Sequence, residues 1–224
     1  MTDNRMSGLT MLAGQLGIIL TLSLHPSGKI TPAQVDQMVH KLITVHSLAL
    51  ASLPLMILGA LGLSRLLSSP NRLSVAAFAI YSFAVAAMLS GVVIDGLVMP
   101  RLLPHLAEAA QASAAGQAPA SATAAGDAWR ALFKYNGYLD MAFVQVALVA
   151  TAIAIIAWSL AMVISRKLSR AIGIYGLVLG AIAIVALFSG ALGAEHAISI
   201  IVFGQATWFV IVGVLLCACP DSVQ

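Results

Sequence analysis

Asp95 is the residue around which any chemistry in this chain must be sought. It stands between Ile94 and Gly96 near the end of an apolar run from Ser74 to Met99. A carboxylate at membrane depth is costly unless it faces a bundle interior, water or a partner. The groups that could serve it are the histidines His25, His40, His46, His105 and His196 and the acids Asp140 and Glu195. Imidazole beside carboxylate binds a divalent metal, holds a haem or passes a proton. The plain alternative is an interfacial carboxylate bonded to Arg101 or to a backbone amide.

The histidines separate by context. His40 follows Asp36 by one helical turn on the polar side of an amphipathic segment, where an i,i+4 pair accounts for it. His40 and His46 are six residues apart, roughly 240° around a helix, so they do not form the shared face of an H-x-x-x-H metal site. His105 stands beside an alanine-rich stretch. His25 precedes Pro26 at the end of an apolar run, a position suited to headgroup contact, and remains a metal candidate. His46, one turn inside its run, and His196, adjacent to Glu195, are the first two to test. Metal candidates are thus His46, His196, Asp95 and His25, and the wider polar chamber comprises Asp95, His46, His196, Glu195 and Asp140. Asp140 also suits the role of a helix cap, and Glu195 that of holding His196 in a turn.

The elements that must position these groups follow from composition. The chain is 61% hydrophobic and 8% charged, and its mean hydropathy is +1.01, values that fit no soluble class. A span needs about 20 apolar residues to cross a hydrocarbon core of roughly 30 Å. Six runs qualify, at about 8–24, 43–66, 74–99, 138–164, 171–194 and 198–217. The fold class is therefore all-α, a single integral-membrane domain over 1–224 built as a bundle of six transmembrane helices.

Between the spans, Thr31-Pro32-Ala33-Gln34 reads as a helix start, with Val35, Met38, Val39 and Leu42 on one face. This amphipathic surface helix lies on the membrane or rises into span two, which carries Pro54. Pro100 ends span three. Residues 105–127 are Ala/Ser-rich with few large apolar groups, which predicts a mobile outer loop. Asp127 then caps a short interfacial helix, Ala128 to Tyr135, expected to lie flat on the membrane.

The formal charge of +3 is spread over single lysines and arginines, so it marks orientation and not a nucleic-acid surface. The turns carrying Arg65/Arg72 and Arg166/Lys167/Arg170 are the most concentrated basic loops. Placing them inside puts both termini in the cytoplasm, with the chain in a cell membrane of the bacterial inner-membrane kind. All five histidines, with Asp95, Asp140 and Glu195, then gather at the outer face.

Other features have packing as their first explanation. Gln15, Gln145, Thr151 and Gln205 are mid-span polar residues that hydrogen-bond across helices. Gly173, Gly176 and Gly180 form a small-residue face on span five, suited to close contact within the bundle, in a homo-oligomer or with a membrane partner. Cys217 and Cys219 cannot make a disulfide framework. No span carries a central lysine for a retinal Schiff base, and the motifs of nucleotide hydrolysis, zinc proteases, serine hydrolases and covalent haem are absent. Three functions fit: a small carrier or accessory subunit with an outward polar chamber for a proton or small polar ligand; a metal- or haem-binding membrane enzyme using His46, Asp95 and His196; and a structural membrane partner.

Overall fold

The computed structural model describes residues 3–26, 34–68, 72–114, 120–189 and 194–219; at 113–114, 120–123 and 194–197 it describes the backbone alone. The described elements are helical: α1 (Asp3–Leu24), α2 (Val35–Leu67), α3 (Leu73–Val93), a π-helical turn (Ile94–Val98), α4 (Met99–Ala114), α5 (Ala120–Ser165), α6 (Arg170–Ser189) and α7 (Ala194–Ala218). Six rods among them are long and apolar enough to cross a membrane. The chain is an all-α polytopic membrane bundle.

Side-chain placement follows from solvation by lipid. Helix α6 buries Gly173, Gly176, Gly180 and Ala183 and exposes Ile174, Val178, Ile182, Val185 and Phe188. Small residues inside and branched or aromatic ones outside is the pattern of helices that associate by close backbone approach and present their bulk to acyl chains. The glycine face is consumed within the chain: Gly173 and Gly180 lie against Ser159, Met162 and Ile156 of α5, and Gly176 against Ser159 and Trp208. Among the described residues this face is therefore an internal seam, and nothing in it points to an oligomer interface.

A second seam joins α1 to α2, antiparallel. Gly59 receives Met11, Gly14 receives Met56, Gly17 receives Ser52, and the Thr21 hydroxyl reaches the Val45 carbonyl at 3.3 Å. In the centre, Trp158 is fully buried among Tyr81, Trp208 and Phe209, and its indole N–H donates to Ser64 Oγ at 2.8 Å. At the basic end α5 stops at Arg166, in the left-handed region at φ 55°, and Lys167 Nζ donates to the Leu66 carbonyl at 2.9 Å.

Three rods overrun the bilayer. At about 1.5 Å per residue, α2 (33 residues) is about 50 Å long and α5 (46 residues) about 70 Å. Their excess lies at the end opposite the basic turns. There Val35, Leu42 and Leu103 form a small core with Met38, Val39, Ala107 and Phe133, so α2, α4 and α5 make a three-helix cap.

Several local expectations change. The chain does not stop at Pro100 but passes it through the π turn into α4. Residues 105–114 and 120–127 are helical, because alanine, which dominates them, is the best helix former even where it packs little. Segment 128–135 is continuous with span four and rises from the membrane, with Phe133 seated in the cap core; Gly137, the one weak residue at the junction, costs only about 1 kcal/mol in a helix. Asp127 is not a cap but pairs with Arg130 inside α5. The Thr31–Ala33 start lies outside the described residues.

Candidate metal centre

The π turn has a cause in the sequence. Pro100 has no N–H, and its ring would strike the carbonyl four residues back, that of Gly96, in an ordinary α-helix. Widening the turn removes the clash, and the Met99 N–H bonds the Ile94 carbonyl, five residues back. Such single π turns recur at functional sites. This one carries Asp95. Beside it, Gly96 lies on His46 so closely that an added Cβ would fall on the His46 Cβ. The missing side chain is what allows α3 to meet α2 at this level.

His46 approaches from α2 and is buried. His25, just past the end of α1, is carried to the same level by the α1–α2 seam, one turn beyond Thr21. The Nε2 atoms of His25 and His46 lie 2.9 Å and 3.0 Å from the same oxygen, Asp95 Oδ2. The rings stand edge to face with centroids 5.2 Å apart, and the three donor atoms all fall within 4.8 Å of one another.

The other ring nitrogens decide what this convergence means. His46 Nδ1 lies 2.8 Å from the Leu42 carbonyl and His25 Nδ1 3.1 Å from the Pro26 carbonyl. A carbonyl only accepts, so each Nδ1 carries a proton, and in a neutral ring the lone pair is then on Nε2. Both lone pairs face a carboxylate oxygen. Two imidazole lone pairs facing one carboxylate oxygen repel it unless a cation or a proton joins them. Nδ1–H held by a carbonyl is also how metal-ligating imidazoles are oriented. With metal–ligand bonds of about 2.0–2.2 Å, neighbouring donors stand about 2.9 Å apart in an octahedron and about 3.4 Å in a tetrahedron. The two Nε2–Oδ2 distances of 2.9 and 3.0 Å equal the octahedral edge and also the length of a charge-assisted hydrogen bond. The cluster can hold a metal ion.

Its depth follows from helix length. Asp95 is 22 residues beyond Leu73 and His46 is 21 residues before Leu67, so both stand about 32 Å from the basic end. A hydrocarbon core of roughly 30 Å that began at the basic turns would end near the cluster, with α2, α4 and α5 continuing beyond it.

The remaining candidates fall elsewhere. Asp140 is not a cap, since α5 runs past it in both directions. Its carboxylate lies against the α3 backbone at Gly91, one turn before Asp95, with an added Gly91 Cβ coming within 2.9 Å of Oδ1. It is not one of the three converging donors. His40 is exposed; His105 stacks on Trp129 at 4.6 Å and lies 3.9 Å from Glu108, fastening α4 to α5. The side chains of Glu195 and His196 lie outside the described residues. Asp95 pairs with the two histidines and not with Arg101. Gln145 is exposed, whereas Gln15, Thr151 and Gln205 line one cavity deeper in the bundle.

Comparison with protein-family models, curated proteins and solved structures finds no match to this chain.

Proposed function

We propose that this protein is a membrane metalloenzyme in which His25, His46 and Asp95 bind a first-row divalent transition ion at headgroup level. The observation that carries the reading is that both Nδ1 atoms are committed to carbonyls while both Nε2 atoms face one carboxylate oxygen. Protons could also fill the gap, as two imidazoliums flanking the carboxylate or as one imidazolium beside a carboxylic acid. At the observed 5.2 Å ring separation, two imidazoliums would repel by about 3 kcal/mol at an effective dielectric of about 20, against a larger attraction of each to the carboxylate between them. One divalent ion satisfies all three donors without that repulsion. A porphyrin does not suit the position, because the carboxylate oxygen already occupies the space between the two ring nitrogens.

Three protein ligands leave coordination positions open, the arrangement of catalytic and not of structural sites. An ion so held would supply Lewis-acid chemistry, activating a water or polarising a carbonyl or phosphoryl group. Asp140, which lies against Gly91 one turn before Asp95, would be the further carboxylate available to accept a hydrogen bond from a water on such an ion. With the basic turns in the cytoplasm, the centre faces the outer leaflet.

The test is metal content. Protein purified without chelators and assayed by elemental analysis is expected to hold about one transition-metal ion per chain, lost in His46→Ala and retained in Asp140→Asn. Wild-type protein that neither carries an ion nor takes up Zn²⁺, Mn²⁺ or Fe²⁺ saturably would overturn the proposal and favour the proton-handling chamber of a carrier.

A further inference from the structure

Two helical turns below the metal centre is a cavity of about 80 Å³. Ile18, Leu53 and Met88 line it, and each is seven residues deeper in its helix than His25, His46 and Asp95 respectively. At 1.5 Å per residue the offset is about 10 Å, which places the cavity near the middle of the bilayer. Most of the lining is aliphatic or aromatic. Four polar side chains interrupt it, each from a different helix: Gln15 of α1, Tyr81 of α3, Thr151 of α5 and Gln205 of α7.

These polar groups are not satisfied by one another. Gln15 is 4% exposed and Tyr81 5% exposed, yet the Gln15 amide and the Tyr81 hydroxyl have no hydrogen-bond partner among the described residues. Gln205 Nε2 donates to the Leu148 carbonyl at 3.0 Å, which leaves its amide oxygen free to accept. At this depth no bulk water relieves an unpaired amide, and each one left bare costs on the order of 1–3 kcal/mol. An apolar cavity with a few convergent polar groups is the form of a small-molecule site.

We infer that this cavity binds an uncharged, lipid-phase molecule with an apolar body and a hydroxyl or carbonyl group. The absence of any charged residue from the lining sets the ligand's neutrality. Gln15 and Tyr81 each offer a donor and an acceptor, which sets its polar group, and the aliphatic walls set its body. The site is separate from the metal centre and its occupancy does not depend on an ion.

The experiment uses the native tryptophans. Trp158 packs 5.4 Å from Tyr81 and 6.2 Å from Trp208, so a bromine atom in the cavity quenches their fluorescence; a Trp129→Phe background removes the cap tryptophan. In the full chain in detergent, 3-bromopropan-1-ol is expected to quench saturably. Its half-effect should come at a micellar concentration about fivefold below that of 1-bromopropane, the gain from one hydrogen bond. Gln15→Leu and Tyr81→Phe should each erase most of that difference. Tyr81→Phe removes only an oxygen, so it keeps the test open if Gln15→Leu fails to fold. Non-saturating quenching, equal quenching by the two probes, or a preference unchanged in both variants would overturn the site, including the case in which water alone fills it. Metal content is unaffected by either outcome.

Discussion

Replacing Asp95 by asparagine separates an ion-binding carboxylate from a mere counter-charge to two histidines. Wild-type protein with free ion at about 100 times its dissociation constant gains about 2.7 kcal/mol of stability from binding. For a chain of this size each kcal/mol moves the melting midpoint by roughly 2–4 °C, so chelation should lower Tm by about 5–11 °C. Outer-shell changes alone cost 10–100-fold in metal affinity. Loss of a direct ligand should therefore cost at least about 100-fold, leaving about 0.4 kcal/mol of stabilisation at the same ion concentration. The chelator effect then shrinks to about 1 °C. Without metal the sign reverses: the asparagine Nδ2 can donate to one Nε2 lone pair that the carboxylate repels, and a hydrogen bond contributes about 0.5–1.5 kcal/mol. In chelator, Asp95→Asn should therefore melt at or above wild type. If Asp95 instead neutralises two imidazoliums, breaking that pair costs about 3–5 kcal/mol whether or not metal is present. A variant that melts well below wild type in chelator, or a wild type indifferent to chelation, would refute the reasoning.

Both imidazole Nε2 atoms must be unprotonated to ligate, so ion retention should fall as pH is lowered; metal retained after dialysis at pH 8 against pH 5 measures this. Gly96→Ala should destabilise by about 1–3 kcal/mol, because its Cβ would overlap His46. Gly137→Ala, with nothing within 4 Å of the new atom, should raise stability by about 0.5–1 kcal/mol, and chelator-matched melting curves distinguish the two. Pro100→Ala restores a donor to the Gly96 carbonyl and removes the clash that widens the turn. It should leave stability equal or higher while weakening metal binding, as read by competition with a chromogenic chelator.

Hydropathy made the six rods legible because membrane solvation acts on whole segments, and a window of about 20 residues averages out local detail. The same averaging hid the ends. Residues 105–127 read as loop because they carry few large apolar groups, and 128–135 as a separate surface helix because of their aromatic residues, yet at 105–114 and 120–135 alanine propensity and the contacts of the cap keep the chain helical. Asp95 and His46 stood out because a titratable residue inside an apolar run needs an explanation. His25 stood out less, since at the end of a span before a proline it has a sufficient interfacial explanation. The signal that places it is the α1–α2 seam: Gly14 and Gly17 against Ser52 and Met56 fix an antiparallel register that carries position 25 to the level of His46. The π turn was legible only in retrospect, as Asp95, Gly96 and Pro100 within seven residues.

That turn and the proline two residues past it concentrate features that disfavour an ordinary helix: a carboxylate at the end of an apolar run, a glycine, and a proline in mid-helix that removes a hydrogen bond and costs about 3 kcal/mol in an unrelieved context. Elsewhere the long rods tolerate such residues one at a time, as at Pro54 in α2. Here three fall together, and each acts on the same neighbour: Gly96 admits the His46 side chain, Asp95 meets its Nε2, and Pro100 forces the widened turn that presents both. A helix needing only to span lipid would have no use for any of them. Departures from local preference persist where surrounding structure holds them in place, and they cluster at sites that bind or react. The seam that draws α1 onto α2 delivers His25 to the same point from a third direction, so the packing of three helices converges on one carboxylate oxygen.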